Sequence, residues 1–165
     1  MERSGTSLKV EFILPFVTAT VKVLETETGR AISVDKGQLN IEASSHTCQD
    51  VTVLIGVIGA VQGIVMYGFS ERTSKNIVSA LLNERIVVFN EMVESGIAEM
   101  SNVITGIASA ELEKAGYPST LAPPTVISGR GVVISTINIK RLQIPLRTEF
   151  GDIDIGVALV ENNRY

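Results

Sequence analysis

Cysteine, histidine and tryptophan are almost missing from this 165-residue chain, which has one Cys, one His and no Trp. With Cys48 alone, no intrachain disulfide can form and no cysteine-based zinc site can be built, which fits a reducing cytoplasm. His46 alone excludes any mechanism that needs two histidines. His46-Thr-Cys48 offers two potential ligands, and two ligands do not make a metal site. Basic excess is lacking too. The 14 basic residues are outnumbered by 18 acidic ones, and the sequence pI is about 5.1. A nucleic-acid binder working through a basic surface is therefore not expected. No glycine-rich loop has phosphate-binding form, because Gly59-Ala-Val-Gln-Gly63 lacks the Lys-Ser/Thr that such a loop needs. The protein is expected to bring no metal, nucleotide or other cofactor of its own.

One long uncharged run occurs, Val51 to Ser70, about the length of a membrane-spanning helix. Gly56, Gly59, Gly63 and Gly68 interrupt it, Gln62 lies inside it, and β-branched residues dominate. It reads as a β-hairpin turning at Gly59–Gly63, and no membrane insertion is expected. The segment Met1 to Ser7 carries no apolar stretch of signal-peptide type. Hydrophobic residues make up 45% of the chain and charged residues 19%, enough apolar material for a core and for one domain over 1–165.

Apolar residues at Ile13, Phe16, Val17, Val21 and Leu24 have helical spacing, which predicts a helix from about Ser7 to Glu25. Pro15 belongs in its first turn, and Gly29 lies beyond its end. One or two short strands are expected between Ile32 and Ile41. Ser70 caps a short helix reaching about Leu82. A longer helix runs from about Phe89 to Lys114, stopped by Gly116 and Pro118. Thr125 to Ile127 reads as a strand. Leu142, Ile144 and Leu146 share one face, and Ile153, Ile155, Val157 and Leu159 share another, with a turn at Gly151-Asp152. Pro145 marks an edge strand, or a position that needs no ladder N–H. Asp152 and Asp154 fall opposite this apolar alternation and read as a solvated face. Helix, strand and hairpin thus occur twice. The expected architecture is an α/β fold of α+β type, with two main helices on a largely antiparallel sheet and a pseudo-repeat of about 80 residues.

On the long helix, with Ser95 at 0° and about 100° per residue, Phe89, Val93, Ile97, Met100, Ile104 and Ile107 gather between about 120° and 200°. Ser95, Glu99 and Asn102 fall near 0°, 40° and −20° on the same scale, away from that stripe. Glu99 and Asn102 stand one turn apart and can reach one target. Ala98, Gly106 and Ser109 are small neighbours that would let another surface approach. Most exposed polar residues on a helix only solvate it, so composition alone gives this face no function.

Ser95-x3-Glu99-x2-Asn102, with Gly106 beyond and Pro124 after 21 further residues, resembles the signature of the CheC/CheX/FliY family of chemotaxis phosphatases. Val51 to Leu82 resembles that family's hairpin and following helix, and Pro124 to Gly129 its strand after the long helix. The first main helix offers Glu11-Phe-Ile-Leu14, with leucine where CheC-type members carry a second asparagine, so the resemblance is to the CheX-like branch. No FliN-like extension is found, which disfavours FliY. The resemblance implies a CheC-like fold and hydrolysis of the aspartyl phosphate on a CheY-like receiver domain. That domain supplies the phosphoaspartate, a magnesium ion and a lysine. Asn102 would orient the attacking water, Glu99 would pair with the receiver's lysine, and Ser95 would contribute at the docking surface. Gly106 and Pro124 would be structural. A cytoplasmic homodimer is expected. The competing reading is a non-catalytic receiver-binding or scaffold module on the same fold.

Overall fold

The computed structural model describes residues 9–37, 39–42, 45–47, 49–136 and 139–164. A single 3-10 turn, Val10–Phe12, leads into α1, Leu14–Thr28. Pro15 lies in the first turn of α1, where its missing N–H costs nothing, and Gly29 closes the helix in the left-handed conformation (φ 66°). Three short strands follow: β1 (Val34–Lys36), β2 (Asn40–Glu42) and β3 (Ser45–Thr47). Next come the hairpin β4 (Val51–Gly59) and β5 (Val61–Phe69), then α2 (Glu71–Leu82) and α3 (Glu91–Lys114). The chain continues through β6 (Ser119–Leu121), β7 (Thr125–Ser128) and β8 (Val133–Ser135) to a second hairpin, β9 (Arg141–Thr148) and β10 (Gly151–Glu161). His46 belongs to β3, paired with Ile134 in β8, and Cys48 lies outside the described residues.

The two hairpins form the centre of an antiparallel sheet in the order β1-β9-β10-β5-β4-β6, with β2 also on β9 and β7 also on β4. The pseudo-repeat shows here as an exchange. The short strands after α1 pair with the second hairpin, and those after α3 pair with the first. The two apolar stripes of β9 and β10 face the same way, since Leu146, Ile144 and Leu142 stand opposite Ile153, Ile155 and Val157. Together with Val51, Val53, Ile55, Val65, Tyr67 and Phe69 they form the buried floor on which the helices lie.

Three local expectations shift. The first hairpin turns at Ala60 alone, and Gly63 sits inside β5 between Val57 and Leu159. A Cβ at Gly63 would come within 1.9 Å of the Ala158 carbonyl oxygen, so glycine is required there for strand contact and not for the turn. The second hairpin turns at Glu149–Phe150, one step earlier than the glycine suggests. Finally, β9 is not an edge strand. Pro145 falls between the stretches paired by β1 and β2, where its carbonyl accepts from Gly37 N (2.8 Å) and no donor is missed. The sheet edges lie instead at β1–β2 and β6–β7.

Two polar contacts fix α3 over this floor. The Thr105 hydroxyl donates back to the Ser101 carbonyl (2.7 Å), so the buried Tyr67 hydroxyl donates to Thr105 Oγ1 at 2.8 Å. Burial pushes the Tyr67 phenol well above its ordinary pKa, keeping it neutral and a donor. At the far end, Lys9 Nζ bonds Glu161 and Tyr117 (2.9 Å to the Tyr117 hydroxyl), and the Tyr117 hydroxyl donates to Glu161 Oε1 at 2.9 Å. The ammonium also lies 5.3 Å from the Tyr117 ring centre, and Tyr117 meets Phe12 edge-to-face. This clasp joins the entry to α1, the exit of α3 and the end of β10.

Tyr67→Phe removes the donor and keeps the ring, and is expected to lower stability by about 1–2 kcal/mol in urea unfolding. An unchanged midpoint would show that the bond contributes nothing. The clasp gives a pH signature. The hydrogen bond from Lys9, then that from Tyr117, holds the Glu161 carboxyl below its ordinary value of 4.5. A lowered carboxylate pKa contributes stability above the unfolded value and loses it as pH falls through the folded one. The advantage of wild type over Glu161→Gln should therefore be full at neutral pH and shrink below about pH 4.5, read as the gap between melting temperatures across an acid series. A constant gap would contradict it.

Candidate active site

Local sequence explains why α3 forms and which way it faces. The Asn90 side chain accepts from Val93 N (3.2 Å), capping the first turn, and Glu91 and Glu94 lie there as acids at the positive end. Phe89 stands just before the cap, half-buried, rather than on the helix. Beyond Lys114, the Gly116 and Tyr117 N–H groups bond back to Glu113 and Leu112. The buried side is Val93, Ile97, Met100, Ser101, Ile104, Thr105, Ala108 and Leu112, wider than the apolar residues alone indicate. Ser101 and Thr105 belong to it because each satisfies its hydroxyl on the preceding turn.

Ser95 and Glu99 are exposed and Asn102 is half-buried, all on the side turned away from the sheet. Among the described residues none of the three side chains is held by a hydrogen bond or ion pair. Glu94 is engaged, accepting from Ser128 Oγ (2.6 Å), and so is Ser109, whose hydroxyl meets that of Ser119 (3.1 Å). Ser109 is thus part of the packing and not of the open face. Gly106 is exposed, and a Cβ there would touch nothing within 4 Å, so packing inside the molecule gives no reason for the glycine. Pro124 is half-buried immediately before β7, whose Thr125 pairs with Leu54.

The stripe has two walls. Glu94 and Ser109, at about −100° and −40° on the helix circumference, face β7 and β6, whereas Gly96 and Ile107, at about 100° and 120°, face α2 and α1. A Cβ on Gly96 would lie 3.0 Å from Val78 of α2, so α2 approaches the helix between Ser95 and Glu99 as closely as glycine permits. On the α1 side, Leu14, Pro15, Thr18, Ala19 and Ile107 line a groove of about 340 Å³. The counterpart pair is not assembled. Glu11 lies in the 3-10 turn before α1, and Leu14, 55% exposed, begins the helix.

Two residues of this face escape a reading based on polar groups. Met92 and Val103, 46% and 38% exposed, are apolar side chains on the same side as Glu99, at about 60° and 80°. The periodicity that singles out Glu99 and Asn102 places them as well. The signal is an apolar residue on the polar side of an amphipathic helix.

With this geometry in place, comparison with known proteins is informative. A model of the family described as chemotaxis phosphatase CheX matches residues 51–147, which include β4 to β7, α3 and most of β9. The CheY-P phosphatase CheX of Thermotoga maritima is 31% identical over 112 residues, covering 66% of this chain and 70% of that protein. Among solved structures, the chemotaxis protein CheX from Desulfovibrio desulfuricans superposes with a TM-score of 0.80 at 28% identity, covering 93% of this chain and 100% of that one. The CheX of a CheX–CheY–BeF3–magnesium complex from Borrelia burgdorferi shares the fold, with a TM-score of 0.78 at 23% identity over 93% of this chain and 100% of that one. The extent of these matches, with Ser95, Glu99 and Asn102 on the outward side of α3, shows that the chain belongs to the CheX family of chemotaxis phosphatases.

Proposed function

We propose that this protein hydrolyses the aspartyl phosphate of a CheY-like receiver domain, ending a chemotaxis or other two-component signal. The carrying observation is a carboxylate and an amide, one helical turn apart, on an outward face with no partner among the described residues. Such a face suits a macromolecular substrate that brings its own reacting centre. The relative from Thermotoga maritima is named for this activity, and the Borrelia burgdorferi CheX structure is a complex with CheY, BeF3 and magnesium. In this reading magnesium belongs to the receiver.

The Asn102 amide both donates and accepts, so it can hold a water in line with the P–O bond without changing its own protonation. Glu99, more exposed than Asn102, pairs with the receiver's lysine and sets the position of the helix against it. Ser95 adds a hydroxyl at the docking surface. Met92 and Val103 supply apolar contact beside the polar pair, and Gly106 lets the receiver's backbone approach α3. Pro124 directs the chain into β7. We read 1–165 as one cytoplasmic domain, since both hairpins share one sheet, and as a homodimer joined through one of the two sheet edges, leaving the Glu99/Asn102 face free. Light scattering at working concentration should give twice the chain mass, and a monomer would exclude that assembly.

Loss of phosphoryl group from a phosphorylated CheY-like receiver is the deciding assay. Asn102→Ala should keep receiver affinity and lose about a hundredfold or more in turnover, because the reacting water loses its orienting partner. Glu99→Ala should weaken receiver binding and also slow turnover through misalignment. Hydrolysis at the wild-type rate by Asn102→Ala, with receiver binding intact, would replace the phosphatase reading with that of a non-catalytic receiver-binding module.

A further inference from the structure

Away from the stripe on α3, a second feature stands out in a chain that carries net negative charge. Arg30, Arg72, Lys75 and Arg85 line a single cleft of about 660 Å³. Four of the 14 basic residues are therefore collected in one place, against the acidic balance of the whole. Glu84 and Glu149 line the same cleft, yet among the described residues none of the four cations is in an ion pair. The acids nearest to them are not used to neutralise them.

The walls of the cleft are held in place by the chain itself. Asn83 ends α2 in the left-handed conformation, and the loop beyond it is tied back to the helix, with Glu84 N bonding the Ser79 carbonyl and Ile86 N the Ser79 hydroxyl, each at 3.0 Å. Lys75 Nζ reaches the Val87 carbonyl at 3.3 Å. On the opposite wall, Asn76 Nδ2 donates to the Phe150 carbonyl (2.9 Å), fixing the β9–β10 turn against α2. The cations thus stand on anchored backbone around a recess whose volume is within the range of small-molecule sites, about 300–1,000 Å³. An apolar drug-like molecule does not suit so charged a lining. Guanidinium groups present paired N–H donors that match phosphoryl oxygens, and several cations around one recess suit more than one phosphoryl group. Glu84 and Glu149 remain as acceptors for hydroxyl or amino groups on the rest of the ligand.

We propose that this cleft binds a small molecule carrying two or more phosphoryl groups. The site is independent of the phosphatase reading, sharing no residue with the Ser95–Asn102 stripe.

The test is calorimetric titration of the purified protein at low salt, without added metal, using inorganic pyrophosphate, ATP and adenosine in turn. Pyrophosphate and ATP should bind saturably, one per chain, with Kd about 1 mM or tighter, and adenosine should not. Arg72→Gln combined with Arg85→Gln should weaken binding by roughly tenfold or more, since each removes charge-assisted donors. Arg30→Gln alone should weaken it to a lesser degree. Lys140→Gln combined with Arg164→Gln removes the same charge outside the cleft and should leave binding unchanged. Circular dichroism melts confirm that each variant is folded. Absence of saturable binding by both phosphate probes overturns the proposal. So does equal weakening by the control pair, which would mark diffuse attraction, or adenosine binding as tightly as ATP. Capture of an acidic protein through Arg72 and Arg85, with neither pyrophosphate nor ATP bound, would likewise replace the small-molecule site with a protein-docking surface.

Discussion

The rotation of α3 about its own axis is the constraint on which the functional reading depends, and the Tyr67–Thr105 hydrogen bond is its most specific determinant. Apolar burial by itself fixes rotation loosely, because Val93, Ile97, Met100 and Ile104 span a broad arc and Ile107 at its margin is only half-buried. A phenol hydroxyl in the core is less tolerant. Left without an acceptor it costs about 1–3 kcal/mol, and Thr105 offers one in the rotation observed. Thr105 can accept because its own proton is given to the Ser101 carbonyl, and Ser101 in turn is buried because it bonds Ile97. This chain of hydroxyls occupies the side of the helix next to the apolar stripe. The opposite side, with Ser95, Glu99 and Asn102, is thereby committed to the exterior.

The internal repeat shows what a second such face would require. Both halves supply a main helix, flanking short strands and a hairpin, and the exchange of flanking strands makes the two hairpins nearly equivalent within the sheet. The two helices nevertheless begin differently relative to their glutamates. In α3 the cap at Asn90 lies more than two turns before Glu99, so Glu99 and Asn102 are in regular helix and keep a fixed relation. In the first half, Pro15 sits in the opening turn, and Glu11 is left in the 3-10 segment ahead of the helix. Leucine at position 14 is therefore one departure among several. Backbone register and surroundings at Glu11 also differ, and Leu14 contributes to the apolar groove against Ile107. The loss of a paired site on this helix is a property of its N-terminal geometry as well as of one side chain.

Much of this was legible in the sequence, because the signals were local. The caps at Ser70 and Asn90, the proline at the start of α1, the glycines after α1 and α3, and the alternation along β4, β5, β9 and β10 each act over a few residues. The outward placement of Glu99 and Asn102 followed from helical periodicity. Features set by distant partners were not legible. The place of Pro145 in an interior strand depends on a gap between β1 and β2 that Gly37 bridges with one N–H, and nothing near Pro145 announces it. Gly63 looks like a turn glycine, yet it is demanded by the Ala158 backbone of another strand. The basic cleft is assembled from positions 30, 72, 75 and 85, a scatter that a search for glycine-rich phosphate loops does not find. The roles of Ser95, Glu99, Asn102, Gly106 and Pro124 stand as proposals drawn from motif and placement together.

An outward helical stripe would be a poor site for an enzyme that had to enclose a small substrate, since water would reach the reacting atoms from every side. The proposed substrate changes that requirement. A receiver domain that brings the phosphoaspartate and its surroundings also brings the surface that excludes solvent, so the phosphatase needs only to complete the enclosure and orient one water. The protein's own surface matches that division. The polar pair is flanked by Met92 and Val103, whose exposed apolar side chains gain from being covered, and Gly106 leaves room for close approach one turn further on. The scarcity of histidine and cysteine fits the same logic. Neither a nucleophile nor a proton-transferring base is asked of this chain, only an amide that binds water in both directions and a carboxylate that fixes where the helix comes to rest.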